Sequence, residues 1–446
     1  MDARELAEDV LRRARAAGAD AADVIVTSQT SFGATVRRGE VETLEQALSK
    51  DLGLRVLVGR RTALVSSSDL SREALARLAQ EAVDLARVSG EDPAAGLPDE
   101  TPPPDDVDLG LWDPSAFDLP PDRRIELARR AEAAAFACSP EITNSQGASI
   151  DCLDAETLLA NTLGFCGGYR RSSVTVSVVP VAARGDSKER DSWSTHGRGL
   201  SDLQSPEEVG RIAAERTLRR LGARKVPTCE VPVVFDPETA SDLLDDIFGA
   251  VSGYAVFRNA TFLKDRLGEQ VASPLLTVVD DGRRPRGLGT RPFDGEGLRT
   301  RRNVPIENGA LRTFLCDTYA ARKLGTRPCG CARRSAGGLP GVGRSNLWIE
   351  AGTTPAGELV RGLRRGLLVT DLIGFGVDLV SGDYSRGAVG QWIEDGRIVH
   401  PVHEVTVAGN LRDMLMDIDA VGDDLEFRGT ANAPSLRLRR MTVSGS

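Results

Sequence analysis

Ser381-Gly-Asp-Tyr-Ser-Arg-Gly387 places a carboxylate, a phenol, a hydroxyl and a guanidinium between glycines. Glycine lets a backbone turn sharply or come close to a ligand. The stretch reads as a loop ahead of a hairpin, with Glu394-Asp-Gly-Arg397 as the turn, because Asp-Gly tolerates positive φ. Asp383, Tyr384, Ser385, Arg386 and Gly387 are therefore the candidate substrate-binding residues. The chemistry they offer is peptide recognition, since an arginine fork binds a carboxylate or a backbone carbonyl. The other reading is a structured turn in which Asp383 and Arg386 satisfy each other. A nucleophilic Ser385 would need a positioned base within hydrogen-bond reach. No G-x-S-x-G pattern surrounds it, and the role of base stays open for His400 or His403.

Three other groupings bear on metal or acid–base chemistry. His400-Pro-Val-His403-Glu404 offers two imidazoles and a carboxylate. Pro401 and β-branched neighbours make the segment extended, and alternate residues of a strand share a face. His400 and Glu404 then point away from His403, and the three do not converge. Cys329-Gly-Cys331 supplies two thiols and needs more ligands for a metal, Cys316 among them. Arg327, Arg333 and Arg334 could lower a thiol pKa there; the plainer reading is a glycine-rich loop with inert thiols. Asp245-Asp246 and Asp280-Asp281 are paired acids of the kind that move protons or hold a metal, or that sit solvated at the end of an element. No residue of these groups is assigned as catalytic or metal-ligating.

The elements that must position these residues follow from periodicity. Residues 1 to 18 read as a helix with Leu6, Val10 and Leu11 on one face. Short β-rich runs fill Ala22 to Ser66. Ser71 to Val88 is a helix with Leu75, Leu78, Ala82 and Leu85 at three- and four-residue spacing. Residues 91–121, crowded with proline and acid and including Pro102-Pro-Pro104, read as a linker. A second passage, 122–224, has a helix to Cys138, strands from Thr143 to Trp193, and a capping box at Ser205-Pro-Glu-Glu208 opening a helix to about Leu221. Residues 225–446 form a long β-rich domain with a helix near Glu238 to Val251. In it Ile306-Glu-Asn-Gly309 and Ile393-Glu-Asp-Gly396 are two similar hairpin turns. The expected class is α+β: two small helix-plus-antiparallel-sheet modules, 1–90 and 122–224, before a large β-rich C-terminal domain.

Bulk composition narrows the function. The chain has 446 residues, enough for two or three domains, and 4% aromatics, so its core is built from aliphatic residues. The formal net charge of −9 argues against a nucleic-acid partner, which would leave a basic footprint. The charged start and the lack of a long apolar run predict no signal peptide, no membrane span and a cytoplasmic protein. Seven irregularly spaced cysteines fit reduced thiols.

The order of short motifs carries a resemblance. Phe235-Asp-Pro-Glu238, Ser252-Gly-Tyr254, Phe262-Leu-Lys-Asp-Arg-Leu-Gly268, Thr277-Val-Val-Asp-Asp-Gly282 and Phe293-Asp-Gly-Glu-Gly297 precede the Ser381–Gly387 stretch, and Val407-Ala-Gly-Asn-Leu411 and Phe427-Arg-Gly-Thr-Ala-Asn-Ala-Pro-Ser435 follow it. With the Ser31–Ser66 region, this series resembles the TldD/PmbA family, also called the modulator of DNA gyrase family, and most closely its PmbA (TldE) branch. In the catalytic TldD branch a helix carries His-Glu-x-x-x-His, and a cysteine near the C-terminus completes a zinc site. The matching helix here, Glu238-Thr-Ala-Ser-Asp-Leu-Leu-Asp-Asp246, holds no histidine, and no cysteine follows Cys331. The resemblance thus implies a subunit that binds no cofactor itself, with zinc in a TldD-type partner. The two would form a heterodimer that cuts unfolded peptides. Family substrates include modified peptide precursors and an antitoxin. A self-sufficient homodimeric peptidase and a regulatory peptide-binding protein stay open as alternatives.

Overall fold

A computed structural model describes residues 2–100 and 107–445, so Pro102-Pro-Pro104 lies outside the described residues. α1 (Ala3–Ala17) starts at Asp2, whose carboxylate accepts from the Glu5 amide while Glu5 accepts from the Asp2 amide. This reciprocal pair satisfies two donors that a helix start leaves free. Leu6, Ala7, Val10, Leu11 and Ala14 form its buried face. β1 (Ala21–Arg37), β2 (Glu40–Val58) and β3 (Arg61–Ser67) then run antiparallel. α2 (Arg72–Val88) buries Leu75, Leu78, Ala79, Ala82, Val83 and Ala86, whereas Leu85, expected on that face, is 50% exposed. At 3.6 residues per turn Leu85 falls about 80° from Leu75, on the edge of the stripe.

The second module repeats the order. It contains the single turn α3 (Ser115–Asp118), α4 (Pro121–Ala137), β4 (Ile142–Asn161), β5 (Cys166–Arg184), β6 (Ser187–Arg190), β7 (Trp193–Gly197) and α5 (Pro206–Leu218). Ser205 caps α5 by accepting from the Glu208 amide at 3.2 Å. The Glu208 carboxylate turns instead to Arg211 at 2.6 Å, so the expected capping box forms only its N-cap half. Between the modules, the Leu109 and Leu111 carbonyls accept from the Arg286 and Ser172 amides, and both leucines are buried.

The modules share one sheet. β1 pairs antiparallel with β4 from Asp23↔Asn161 to Val36↔Ala148, giving the order β3-β2-β1-β4-β5-β6 with β7 also on β5. Period-two alternation sorts β1 into two buried faces. Val24 and Val26 pack under α1 and α2; Phe32, Ala34 and Val36 pack under α4 and α5. Asp23, Ile25, Thr27 and Gln29 point the other way, toward the C-terminal domain. There Ile25 and Leu159 meet Phe293 and Ala336, and the Phe293 ring stands edge-on to Phe165 and Tyr169 at 5.1 and 5.4 Å. Gly53 lies against the Ala336 carbonyl so closely that any Cβ would overlap it. Asp23 is buried between Arg55 and Arg334, tying the sheet to the loop at 334–336.

The C-terminal domain begins with β8 (Cys229–Phe235) and α6 (Pro237–Ala250). It continues through β9 (Val278–Asp281), β10 (Arg302–Glu307), β11 (Ala310–Leu311), β12 (Ala332–Arg333), β13 (Gly341–Val342) and β14 (Asn346–Ile349). It closes with β15 (Arg365–Ile373), β16 (Asp383–Glu394), β17 (Arg397–Asn410), β18 (Ile418–Val421), β19 (Ala431–Asn432) and β20 (Leu436–Ser444). A six-stranded sheet, β17-β16-β15-β8-β20-β18, stacks through α6 against a five-stranded sheet, β11-β10-β9-β14-β19. Pairing is antiparallel except for β8 with β15 and β14 with β19. Both expected hairpin turns form, with positive φ at Asn308, Gly309, Asp395 and Gly396, as a tight primed turn requires. The architecture is α+β, as the sequence predicts.

Candidate functional site

α6 sets one wall of the site. Asp236 caps it by accepting from the Thr239 amide at 3.0 Å, and Pro237 takes the first helical position, where no amide is needed. Ala240, Leu243, Leu244 and Ile247 face the core. The opposite face carries Glu238, Asp242 and Asp246, each one turn after the last. Glu238 and Asp242 of this stripe border a cavity of about 1060 Å³ between the second module and the C-terminal domain, walled also by Asp191, Arg216, Arg220 and Asp371.

Guanidinium groups arrive from four directions. Arg216 of α5 reaches Glu238 at 2.5 Å, and Arg428 reaches the other oxygen of Glu238 at 3.1 Å. Arg386 places Nη2 3.5 Å from Asp242 Oδ2. Arg344 pairs with Asp245. Among the described residues Asp246 forms no ion pair, and its Oδ2 is buried without a hydrogen bond. Burial, opposed by Arg386 and reinforced by Asp242 and Asp245, pushes the Asp246 carboxyl up to about 6. Burial raises Asp242 too, against the pull of Arg386.

The Asp383–Gly387 segment is not a loop but the start of strand β16, paired with β17 from Asp383↔Asn410 to Gly387↔Thr406. Strand alternation therefore divides the candidates. Tyr384 and Arg386 point inward toward α6, and Asp383 and Ser385 point outward. This overturns the reading in which Asp383 and Arg386 satisfy each other. Asp383 accepts instead from Asn410 Nδ2 at 3.3 Å. Tyr384 is 1% exposed, and its hydroxyl lies beside Arg386 without a well-formed hydrogen bond; burial raises its pKa. Gly387 sits in the strand against Ile373. Ser385 finds no imidazole: His400 Nδ1 contacts the Pro401 carbonyl at 3.0 Å, and His403 faces Glu189 at 3.9 Å.

The remaining groupings do not form metal sites. His196, the third histidine, is held by Thr175 and Ser194, both at 2.9 Å. Among the described residues no group of three or more His, Cys, Asp and Glu side chains could hold a metal ion. Cys329 and Cys331 are buried beside Cys316. The Cys329 Sγ donates to the Phe314 carbonyl and the Cys331 Sγ to the Cys316 carbonyl, both at 3.4 Å. The neighbouring Cys331, opposed by burial and helped by Arg301, lowers the Cys329 thiol, while Cys329 and burial drive Cys331 up. The arginines expected to do this, Arg327, Arg333 and Arg334, are not the cause. Asp280 is not a solvated acid: it is fully buried, accepts from the Ser345 amide at 2.6 Å, and is raised to about 6 by burial.

Sequence reasoning passed over Glu238, Asp242, Arg216 and Arg428 as parts of the site. The signal was present in the four-residue spacing of carboxylates on α6. Their guanidinium partners come from positions far along the chain and leave no local pattern.

Family models cover most of the chain. Residues 22–86 match PmbA/TldA metallopeptidase domain 1, residues 114–221 the central domain, and residues 228–445 the C-terminal domain. The sequence is 40% identical over 428 residues to Metalloprotease PmbA of Escherichia coli O157:H7, covering 96% of this chain and 92% of that one. It is 35% identical to a Metalloprotease PmbA homolog of Haemophilus influenzae, covering 99% and 96%. The fold matches a crystal structure of a candidate modulator of DNA gyrase from Bacteroides thetaiotaomicron at a TM-score of 0.91 and 29% identity, over 99% of this chain and 98% of that one. With three consecutive domain matches and full-length relatives, the chain belongs to the PmbA/TldD metallopeptidase family.

Proposed function

We propose that this chain is the non-catalytic PmbA-type subunit of a heterodimer in which a TldD-type partner holds zinc and cuts unfolded peptides. The supporting observation is the occupancy of the α6 face. A zinc site needs imidazole, thiolate or converging carboxylate ligands with room for the ion. Here α6 offers only Glu238, Asp242, Asp245 and Asp246, and guanidinium groups already stand against the first three. The residues present do not fit the metal that the family's name implies. A fixed cation from β16 takes its electrostatic place, so the helix keeps its shape and charge balance without hydrolytic chemistry.

Two further features suit a peptide-handling partner. Ile373 and Val380 are more than half exposed, and Phe375 is fully exposed, close to where the Gly376 carbonyl accepts from the Ser385 amide. A cluster of large apolar side chains in water marks a protein contact surface. Val377 in the same stretch bridges to Tyr384, which ties this apolar segment to β16. The protein would act in the cytoplasm, on peptide rather than nucleic acid.

The deciding experiment mixes the purified chain with a TldD-type relative and follows cleavage of an unfolded peptide and zinc per chain. The expected result is no stoichiometric zinc and no cleavage by this chain alone, with cleavage appearing in the mixed complex. About one tightly bound zinc on the isolated chain, or cleavage without a partner, would support the self-sufficient peptidase instead. Peptide binding with no cleavage in either form would point to the regulatory reading.

A further inference from the structure

A second cleft, of about 790 Å³, lies between the N-terminal sheet and the loops at 288–295 and 332–337. Its floor is the sheet face that points away from the helices. Pairing fixes that floor in rows. Asp51, Thr27, Thr157 and Tyr169 stand side by side across β2, β1, β4 and β5. The next row on the same face ends at Arg171, opposite Ala155. The floor is therefore acidic at its β2–β3 side, where Asp69 also lines the cleft, and basic at its β5 side. Three strand spacings separate the two ends, about 14 Å.

The roof sharpens this polarity. Arg291 and Arg333 come down beside Arg171, and among the described residues none of the three forms an ion pair. Arg291 is 5% exposed, its Nε has no acceptor, and its Nη2 finds only the Ser345 hydroxyl at 3.5 Å. Arg333 is exposed and its Nε donates to the Arg344 carbonyl at 3.0 Å; loss of hydration, then repulsion from Arg291 and Arg171, lowers its guanidinium to about 10. The nearby carboxylates Asp280 and Asp294 feel these guanidinium groups but do not pair with them directly. Asp294 accepts from the Glu296, Leu298 and Ala332 amides, and Glu156 turns to Arg170 at 3.9 Å. Asp280 is buried near Arg291 and Arg333 and held by Ser345. Arg334 is spent on Asp23.

A buried guanidinium without an acceptor carries a desolvation cost that an anion would offset. An arginine fork pairs best with a carboxylate. We infer that this cleft binds a short zwitterionic peptide, with its carboxylate against Arg171, Arg291 and Arg333 and its amine toward Asp51 and Asp69. Extended chain advances about 3.3–3.6 Å per residue, so about four residues fit between the two charged ends. Thr27, Gln29 and Thr157 line the path between them with polar side chains and no demand for a particular sequence. The site is separate from the α6 face, and nothing in it depends on the proposed heterodimer.

The test is calorimetric titration of the isolated chain with tetra-alanine, its C-terminal amide and its N-acetyl form. The free peptide is expected to bind about tenfold more tightly than the amide, as loss of one charge-assisted contact requires. Arg171→Gln, at a partly buried position, is expected to weaken the free acid and leave the amide unchanged. Asp51→Asn is expected to weaken peptides with a free amine and leave the acetylated form unchanged. Melting curves of both variants check that they fold. Equal affinity for acid and amide, equal weakening of both by Arg171→Gln, or no binding of any form at about 10 mM would overturn the assignment.

Discussion

Arg386 crosses from β16 to α6 and sets its Nη2 3.5 Å from Asp242 Oδ2. The contact joins the strand segment that carries the candidate binding residues to the helix that carries the acidic stripe. It also explains how Asp242 and Asp246 coexist one turn apart in a partly buried wall. The Arg386 guanidinium opposes the burial and the neighbouring carboxylates that raise Asp246.

Arg386→Ala should therefore be read on two scales at once. If Arg386 lines the peptide chamber, the reconstituted pair should cleave an unfolded peptide about tenfold more slowly, the loss of one charge-assisted contact, while the heterodimer still assembles. Arg386→Lys should recover only part, because an ammonium lacks the planar fork. If the residue only balances α6, the alanine variant should melt earlier and cleave normally where it survives. Unchanged cleavage and unchanged melting would remove Arg386 from both roles.

Asp246 gives a pH signature. Its folded pKa, about 6, lies above the ordinary aspartate value of 3.8, so between those values the native state keeps a proton that the unfolded chain has released. Stability then falls as pH rises through this window and stays reduced above it. Asp246→Asn cannot ionise and should escape the loss. The variant is expected to gain melting temperature over the parent at pH 8 and to show little difference at pH 4. Because the carboxyl is partly solvated, the gain should be a few degrees at most. Identical gains at both pH values would mean that ionisation is not the cause.

How much of this was legible in the sequence depends on the range of the interaction. Periodicity found α1, α2 and the two type-primed hairpins because caps, stripes and Asn-Gly or Asp-Gly turns act within a few residues. The failure at Asp383–Gly387 has the opposite origin. Glycines and polar side chains suggested a loop, yet pairing with β17, from Asp383↔Asn410 to Gly387↔Thr406, makes it a strand. That change splits Asp383 from Arg386 and sends Arg386 to a helix far earlier in the chain. The sheet joining both N-terminal modules was hidden for the same reason, since β1 and β4 meet across more than a hundred residues.

Gly53 tests the docking of the N-terminal sheet on the C-terminal domain. A methyl group there would overlap the Ala336 carbonyl, which is backbone and cannot swing aside. Gly53→Ala should cost about 1–3 kcal/mol, the range for overpacking a tight contact. Denaturant unfolding would measure it. A neutral result would show that the loop at 334–336 moves freely and does not fix the cleft beneath it.

Asp23 is the sharper probe of the same junction. Its carboxylate is 2% exposed and stands between Arg55 of β2 and Arg334 of the C-terminal loop. Burial alone would raise its pKa, but the two guanidinium groups outweigh that and hold it below the usual carboxylate range. Asp23→Asn keeps the shape and removes the charge, leaving two buried cations facing each other. The expected cost is about 3–5 kcal/mol, the penalty for orphaning a buried ion rather than the net worth of the pair. Adding Arg55→Met should return part of it, because the second change removes one of the stranded charges, and the double-mutant cycle would measure that coupling directly. If Asp23→Asn alone costs under about 1 kcal/mol, like an exposed pair, water reaches this junction and the sheet is held to the C-terminal domain by its apolar contacts at Phe293 and Ala336.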